Sequence, residues 1–583
     1  MKSTFRIALA QINPVVGDLS YNEKLISKFI RSADKKTCDL ILFPELTLSG
    51  YPPEDLLLEP QFIKDCNRYL KRIIKLNSKC MVVLGYPEKH GDRLYNSSAL
   101  IVDSTIAHTY RKVCLPNYGV FDEKRYFHAG NEIPLYELDR FKFAINICED
   151  IWINPGPADL QAASGASLVL TINSSPYHIR KSRERISMLT SYAKRNRVYY
   201  GYVNLVGGQD ELVFDGCSVV IDPNGKVIAL GEMFEEDLLI VDLPVSKLEK
   251  RSAPIQLTKR FRDVADSFPQ VEPYEIPHRI RRKSKTVRSH RVEKPVSREE
   301  EIYRALKKGT EDYIKKNGFT DILVGLSGGI DSALTATIAY DVVGSEKLHL
   351  VFMPTVYTQD ISYRGARGLA DNLGVKLIEY EIDEPFKLYK DILQSEFKGL
   401  PEDITEENLQ ARIRGNLLMA LSNKFNRLVL TTGNKSEVAV GYCTLYGDTA
   451  GGFSVLKDVY KTMVFRLSKW RNRQERANGG ANIIPSVIIN RPPSAELRAD
   501  QQDTDSLPPY SVLDSILKRY VEKGESPKEI ANLGHDINMV KRIIRLVDTA
   551  EYKRRQGAPG VRITPRALGK DRRMPITNRY RFE

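Results

Sequence analysis

The run Asp321-Ile322-Leu323-Val324-Gly325-Leu326 is apolar and of strand length. Ile330 to Val343 repeats its apolar residues at helical spacing, so Ser327-Gly328-Gly329 must turn a buried strand into a helix within three residues. A buried strand leading at once into a helix is the unit of a doubly wound parallel sheet, which restricts this half of the chain to an α/β fold. From about residue 298 onward, helical and strand patterns alternate in keeping with that unit. The two glycines let backbone N–H groups approach an anion at the positive end of the helix. Asp331 and Ser332 add a carboxylate suited to magnesium and a hydroxyl suited to phosphate. The turn lacks the lysine of G-x-x-x-x-G-K-[ST] and does not fit G-x-G-x-x-G. In open α/β sheets, ligands bind outside the carboxyl ends of the strands, which places a nucleotide just beyond Leu326.

The first half of the chain carries a different chemistry. Glu45 follows the apolar run Leu40-Ile41-Leu42-Phe43-Pro44, and Lys112 follows the short stretch His108-Thr109-Tyr110-Arg111. Cys148 ends the alternating run Phe141-Lys142-Phe143-Ala144-Ile145-Asn146-Ile147. Three strand ends can therefore converge on one site. A single cysteine is more often a small buried hydrophobe than a catalyst. A thiol beside a carboxylate and an ammonium is another matter: the carboxylate takes the thiol proton, and the ammonium stabilises the oxyanion formed when sulfur attacks a carbonyl.

The segments around these residues are Phe43-Pro44-Glu45-Leu46 through Tyr51-Pro52-Pro53, Tyr110-Arg111-Lys112-Val113-Cys114 through Tyr118, and Cys148-Glu149-Asp150-Ile151-Trp152. They resemble the nitrilase superfamily, and within it the glutamine amidohydrolases. The resemblance implies a four-layer αββα sandwich with Glu45 as general base, Lys112 as the residue stabilising the intermediate and Cys148 as nucleophile. It further implies an auxiliary role for Tyr51 and Glu123, and glutamine contacts from Tyr118, Ser175 and Lys181. Cys217 departs from the family pattern, which commonly has glycine there.

Ser-Gly-Gly-x-Asp-Ser resembles the pyrophosphatase-loop family, which splits ATP between the α and β phosphates. That implies an ATP site at Gly325, Leu326, Ser327, Gly328, Gly329, Ile330, Asp331 and Ser332. The turn alone leaves the acceptor open, because GMP, asparagine and NAD synthetases and tRNA-thiolating enzymes share it. Later segments narrow the choice: Thr431-Thr432-Gly433-Asn434-Lys435-Ser436-Glu437, Leu445-Tyr446-Gly447-Asp448, Pro493-Ser494-Ala495-Glu496-Leu497, Asp505-Ser506-Leu507-Pro508-Pro509-Tyr510, and Tyr552-Lys553-Arg554-Arg555-Gln556. Together these resemble the glutamine-dependent NAD synthetase family. Carried over by position, Thr432 contacts ATP, Asn408, Glu437 and Lys553 hold deamido-NAD, Lys461 faces the reacting phosphates, and Asp331 with Glu437 binds magnesium. The implied reaction amidates deamido-NAD at the expense of ATP, with ammonia from glutamine passing inside the protein.

Length and charge fill in the organisation. A chain of 583 residues exceeds one hydrophobic core and implies about two to four domains. The expected division is a glutamine amidohydrolase domain over 1–255, a basic linker over 256–297 and a synthetase domain over 298–583. The formal charge is +13, and seven basic residues with no acid lie between Ile276 and Val292: Arg279, Arg281, Arg282, Lys283, Lys285, Arg288 and Arg291. This stretch has no periodicity and reads as a solvated linker, whereas the basic tail from Lys553 is expected to meet the anionic substrates or another subunit. An RNA-binding role competes for the charge, but the linker cluster contains no aromatic residue to stack on bases. An amidotransferase for a different acceptor is the other open alternative.

Seven cysteines without a C-x-x-C pair fit a reducing compartment, and eight scattered histidines give no metal cluster, leaving magnesium as the expected metal. No run approaches a membrane span and the start has no signal-type apolar region, so a cytoplasmic protein without membrane or nucleic-acid partners is expected. A homo-oligomer of at least two subunits is also expected. The stretch from Asn472 to Asp505, rich in Asn, Pro, Gly and Asp, reads as a long loop, part of which is expected to cover the synthetase site.

Overall fold

The computed structural model describes residues 4–250, 265–280, 283, 291–494, 496–498, 501–580 and 582; the expected boundary at 255/256 and the residues Arg281, Arg282, Lys285, Arg288 and Ala495 lie outside them. The chain divides into two compact units, one of Met1–Gln209 and Val213–Pro295, the other of Asp210–Leu212 and Val296–Glu583.

The first unit contains strands β1 (Thr4–Gln11), β2 (Leu40–Leu42), β3 (Met81–His90), β4 (Arg93–Val102), β5 (Thr105–Arg111), β6 (Ile133–Leu138), β7 (Phe141–Ile147), β8 (Leu168–Asn173) and β9 (Tyr199–Asn204). There follow the hairpin β10 (Val206–Gln209) and β11 (Leu212–Asp215), then β12 (Val219–Ile221), β13 (Val227–Leu230), β14 (Asp237–Pro244) and β15 (Val271–Glu275). Apart from the β10-β11 hairpin, which pairs only with itself, they form one sheet of order β14-β1-β2-β3-β4-β5 and another of order β13-β12-β9-β8-β7-β6-β15.

Period-two alternation sorts the side chains into layers. Along β1, Phe5, Ile7 and Leu9 share a core with Phe143, Ile145 and Ile147 of β7, so the two sheets face each other. Ala8 and Ala10 point the other way and pack with Ile26, Phe29 and Ile30 of helix Leu19–Lys35 and with Leu70 and Ile73 of helix Pro60–Ile74. On the far side, Ala144 and Val169 pack with Ala158 and Ala162 of helix Pro157–Ala163 and with Leu189 and Ala193 of helix Lys181–Asn196. The result is the αββα sandwich. Each fully buried aliphatic side chain in these layers contributes roughly 1.5–3 kcal/mol.

Part of the segment read as a linker belongs to this unit instead. β15 pairs in parallel with β6, Val271 opposite Ile133 through Glu275 opposite Glu137. Lys283 is not solvated either: its nearly buried ammonium pairs with the enclosed Asp39 carboxylate. Charge density concealed both features, because five consecutive residues, Val-Glu-Pro-Tyr-Glu, carry too few apolar side chains to announce an edge strand.

The second unit is built on β16 (Ile322–Leu326), β17 (Leu348–Phe352), β18 (Leu377–Glu379), β19 (Leu428–Thr431) and β20 (Phe453–Ser454). All pair in parallel in the order β18-β17-β16-β19-β20. Sequence order reverses between β16 and β19, which is the switch point where doubly wound sheets bind ligands. Helix Ile330–Val343 follows β16 directly. Helices Tyr510–Leu517, Pro527–Ala531 and Ile537–Thr549 add a helical lobe whose core includes Leu513, Ile530, Val540 and Val547.

One expectation changes here. The segment from Asn472 to Asp505 is not all loop, since Asn472 lies within helix Lys461–Ala477 and Ser486–Asn490 forms a further short helix. Within the basic tail, Arg554 pairs with Glu551 (2.8 Å), Arg562 with Asp571 (2.6 Å) and Arg572 with Asp548 (2.9 Å). No described helix is long and apolar enough to cross a membrane.

Candidate functional site

In the first unit, the ends of β2, β5 and β7 deliver three side chains to one enclosed place. The Lys112 ammonium lies 2.7 Å from Glu45 Oε1 and 2.8 Å from Glu123 Oε1, with Lys112 and Glu45 fully buried. Asn96 Nδ2 donates to Glu45 Oε1 (2.8 Å) and Ser174 N donates to Oε2 (3.0 Å), so donors hold both oxygens of the candidate base. Gly85 on β3 makes room for this loop, since a Cβ there would stand 2.5 Å from Leu46 N.

Cys148 begins a tight turn, Cys148–Ile151, with φ +44°, a left-handed value uncommon for a residue with a side chain. Strained backbone of this kind persists where the surroundings over-determine it, which is common at reacting groups. Burial, reinforced by the Glu45 carboxylate, pushes the Cys148 thiol well above its usual range, so sulfur rests protonated and needs a base. Burial would strip the proton from Lys112, but Glu123 and Glu45 together hold its pKa well above normal, keeping it an ammonium.

Burial also raises Glu123 to about 7. The folded protein therefore retains a proton that the unfolded chain releases near 4.5, and the stability this group contributes is complete below 4.5 and lost as pH rises through about 7. Glu123→Gln is expected to abolish a step near pH 7 in the pH profile of glutamine hydrolysis, measured by glutamate release. An unchanged step would take Glu123 out of the titration.

The other expected residues surround this centre. Tyr51 is buried, and burial followed by the Glu123 charge drives its phenol pKa well up. Tyr118 is largely exposed, and its hydroxyl donates to both oxygens of Glu149 at 3.0 Å. Ser175 is buried with its N–H on Asn204 Oδ1 (2.9 Å). The Lys181 ammonium sits 3.9 Å from the centre of the Trp152 ring, and burial, then Arg185, lowers its pKa. Cys217 has φ +51°, the backbone that glycine adopts freely.

The second unit gathers its candidates where β16 and β19 end. A cavity of about 280 Å³ is lined by Gly325, Leu326, Ser327, Gly329, Ile330, Asp331, Ser332, Thr432, Glu437 and Lys461. Ser332 Oγ accepts from Ser327 N (3.2 Å) and donates to Gly329 O (3.0 Å), closing the turn. Gly328 has φ +75°, and a Cβ there would meet Ser362 Cα at 2.6 Å, so no other residue fits. Gly328→Ala is expected to cost about 1–2 kcal/mol in backbone strain alone. It should weaken ATP binding, measured by calorimetry, and leave glutamine hydrolysis in place; wild-type affinity would mean the turn can move aside.

Lys461 lies between the two expected metal ligands, 2.5 Å from Asp331 Oδ2 and 2.9 Å from Glu437 Oε1, while Asn434 Nδ2 donates to Asp331 Oδ1 (2.9 Å). Burial raises Glu437 to about 7 despite Lys461. Among the described residues, no three or more His, Cys, Asp and Glu side chains gather to hold a metal. A smaller cavity of about 40 Å³ is lined by Glu437, Asp448 and Lys553, and Lys553 Nζ donates to the carbonyls of Gly441 (2.9 Å) and Cys443 (2.8 Å). Asn408 is one step removed: its Oδ1 accepts from Thr444 Oγ1 (2.7 Å), and Thr444 lines the larger cavity.

Comparison with known proteins accounts for both halves. The family model for carbon-nitrogen hydrolase matches residues 6–252, and that for NAD synthase matches residues 302–557. The chain is 46% identical over 579 residues to the glutamine-dependent NAD(+) synthetase of Thermotoga maritima, covering 99% of each. The chain belongs to the glutamine-dependent NAD(+) synthetase family. The family member of Aquifex aeolicus is 44% identical over 98% of this chain and 99% of its own. The Acinetobacter baumannii enzyme, solved in complex with ADP, superposes with a TM-score of 0.73 at 40% identity, covering 99% of both chains.

Within this family frame, the structure exposes residues that sequence reasoning missed. Arg414, in helix Ile404–Phe425, lines the larger cavity with its Nε on Met353 O (2.9 Å). Burial lowers its pKa to about 10, and among the described residues no carboxylate stands within ion-pair distance of it. Arg491, by contrast, is committed to Glu496 (2.6 Å). Arg491, Pro493, Glu496 and Asp503, all from the segment expected to cover the site, also line the cavity. Helix Ile404–Phe425 carries Arg412 as well as Arg414, and nothing in its sequence singles out the second in advance.

Proposed function

We propose that the protein amidates deamido-NAD to NAD, consuming ATP and glutamine and releasing AMP, pyrophosphate and glutamate. The observation that carries this reading is the family relationship over 99% of the chain, which spans both the thiol site and the glycine turn. In the first unit, Cys148 sulfur attacks the glutamine side-chain amide and its proton passes to Glu45. Lys112 stabilises the oxyanion, and Glu45 returns the proton as ammonia leaves. Water, deprotonated by Glu45, then attacks the thioester carbonyl; the carbon–sulfur bond breaks, Glu45 returns the proton to Cys148 sulfur and glutamate is released. Tyr118, Ser175 and Lys181 bind glutamine, with Tyr51 and Glu123 supporting the charged centre.

In the second unit, a nicotinate carboxylate oxygen attacks the α-phosphorus of ATP, pyrophosphate leaves, and ammonia then displaces AMP from the acyl adenylate. The turn from Gly325 to Ser332 and Thr432 bind ATP, while Asn408, Glu437 and Lys553 hold deamido-NAD. Lys461 and Arg414 supply positive charge toward the phosphates. Asp331 and Glu437 converge on a single cation, the Lys461 ammonium, and their oxygens suit magnesium. These two carboxylates would hold the metal, which would neutralise phosphate charge. A cytoplasmic location and a homo-oligomer of at least two subunits complete the reading. Incubation with deamido-NAD, ATP, magnesium and glutamine should yield NAD, AMP and pyrophosphate in equal amounts; formation of AMP without NAD would point to another acceptor.

A further inference from the structure

The mechanism above leaves one member of the nucleophile turn without a task. Asp150 is completely buried, and its carboxylate receives three hydrogen bonds. Oδ2 accepts from Ile147 N (3.0 Å), the residue immediately before Cys148, and from Tyr110 Oη (2.7 Å). Oδ1 accepts from Cys114 N (2.8 Å). Tyr110 and Cys114 stand two residues on either side of Lys112. A single carboxylate therefore ties the left-handed turn of the nucleophile to both flanks of the lysine.

We propose that Asp150 is a positioning residue for glutamine hydrolysis, fixing the Cys148 turn against the Lys112 segment so that sulfur and ammonium address the same carbonyl. The inference rests on the roles proposed for Cys148 and Lys112. Three donors converge on this enclosed group, and a buried carboxylate is costly to enclose unless such donors compensate it. Reacting groups tolerate little displacement, because about 1 Å of misplacement costs on the order of 100-fold in rate. Asparagine has the same shape but exchanges one acceptor oxygen for a donor, so it cannot receive all three hydrogen bonds.

The test uses the full-length enzyme with Asp150→Asn and Tyr110→Phe. Active sites are counted with a covalent glutamine analogue, 6-diazo-5-oxonorleucine, so that loss of folded protein does not mimic loss of rate. For Asp150→Asn, kcat per titrated site for glutamine hydrolysis should fall about 100-fold. KM should stay near wild type, and alkylation of Cys148 by iodoacetamide should slow in parallel. Tyr110→Phe, which removes one of the three hydrogen bonds, should show a smaller loss of the same kind and a shifted pH profile. NAD synthesis from free ammonia should be unchanged in both. Wild-type kcat per site in folded Asp150→Asn overturns the proposal. Where that variant does not fold, wild-type kcat and pH profile in Tyr110→Phe overturn it instead. Glutamine hydrolysis that survives in Cys148→Ala is a distinguishable failure, since it removes the thiol reading on which the proposal stands.

Discussion

Cys148→Ala is expected to lose glutamine-supported NAD synthesis by about 1,000-fold or more, the scale on which removal of a nucleophile acts, while synthesis from ammonium salts persists. The substitution deletes the atom that bonds to glutamine and little volume, so the surrounding core of Phe143, Ile145 and Ile147 should remain packed. With a base but no nucleophile, Glu45 and Lys112 cannot form the thioester. The acyl adenylate in the second unit needs only a neutral nitrogen nucleophile, so raising the pH to favour free ammonia should increase the rate from ammonium salts. The measurement is NAD and AMP formation with each nitrogen donor. Wild-type rates with glutamine would falsify the thiol mechanism, whereas loss of both activities in a folded protein would show that the two reactions are tightly coupled.

Asp331→Asn should abolish synthesis from glutamine and from ammonia alike. Asp331 is the first-turn acid of the helix that follows the glycine turn, and its two oxygens are engaged by Lys461 and Asn434. Asparagine keeps the size but removes the charge proposed to hold magnesium, at a cost of about 3–4 kcal/mol of transition-state stabilisation, or about 100- to 1,000-fold in rate. It also leaves Lys461 with Glu437 as its remaining carboxylate within ion-pair distance among the described residues. Titration of the variant with manganese and ATP should show weakened metal binding beside the lost rate. Unimpaired turnover with either donor would remove Asp331 from the mechanism.

Local sequence pattern was sufficient for elements that are buried over most of their length. The alternation of Phe141–Ile147 and the helical spacing of Ile330–Val343 each mark an element with the observed bounds, because one face or the whole surface of each is enclosed. Pattern failed at β15, an edge strand too polar to be distinguished from the basic stretch beside it.

Residue type and flanking motif, read from sequence, determined the chemical vocabulary: a thiol, a carboxylate and a lysine at strand ends, and a glycine turn with an acid behind it. What only the tertiary structure decided is which of these meet and in what electrical state. Lys112 and Glu45 are 67 positions apart and Lys461 and Asp331 are 130 apart, yet each pair is in direct contact. Sequence spacing carries no information about such encounters, because they depend on how sheets and helices pack around them. Burial set the protonation of Cys148 and Glu123, and the clamp formed by Asp150 exists only because the fold brings residues 110 to 114 against the turn at 147 to 150. Desolvation and convergence are properties of enclosed space, and that space forms only when the chain has folded.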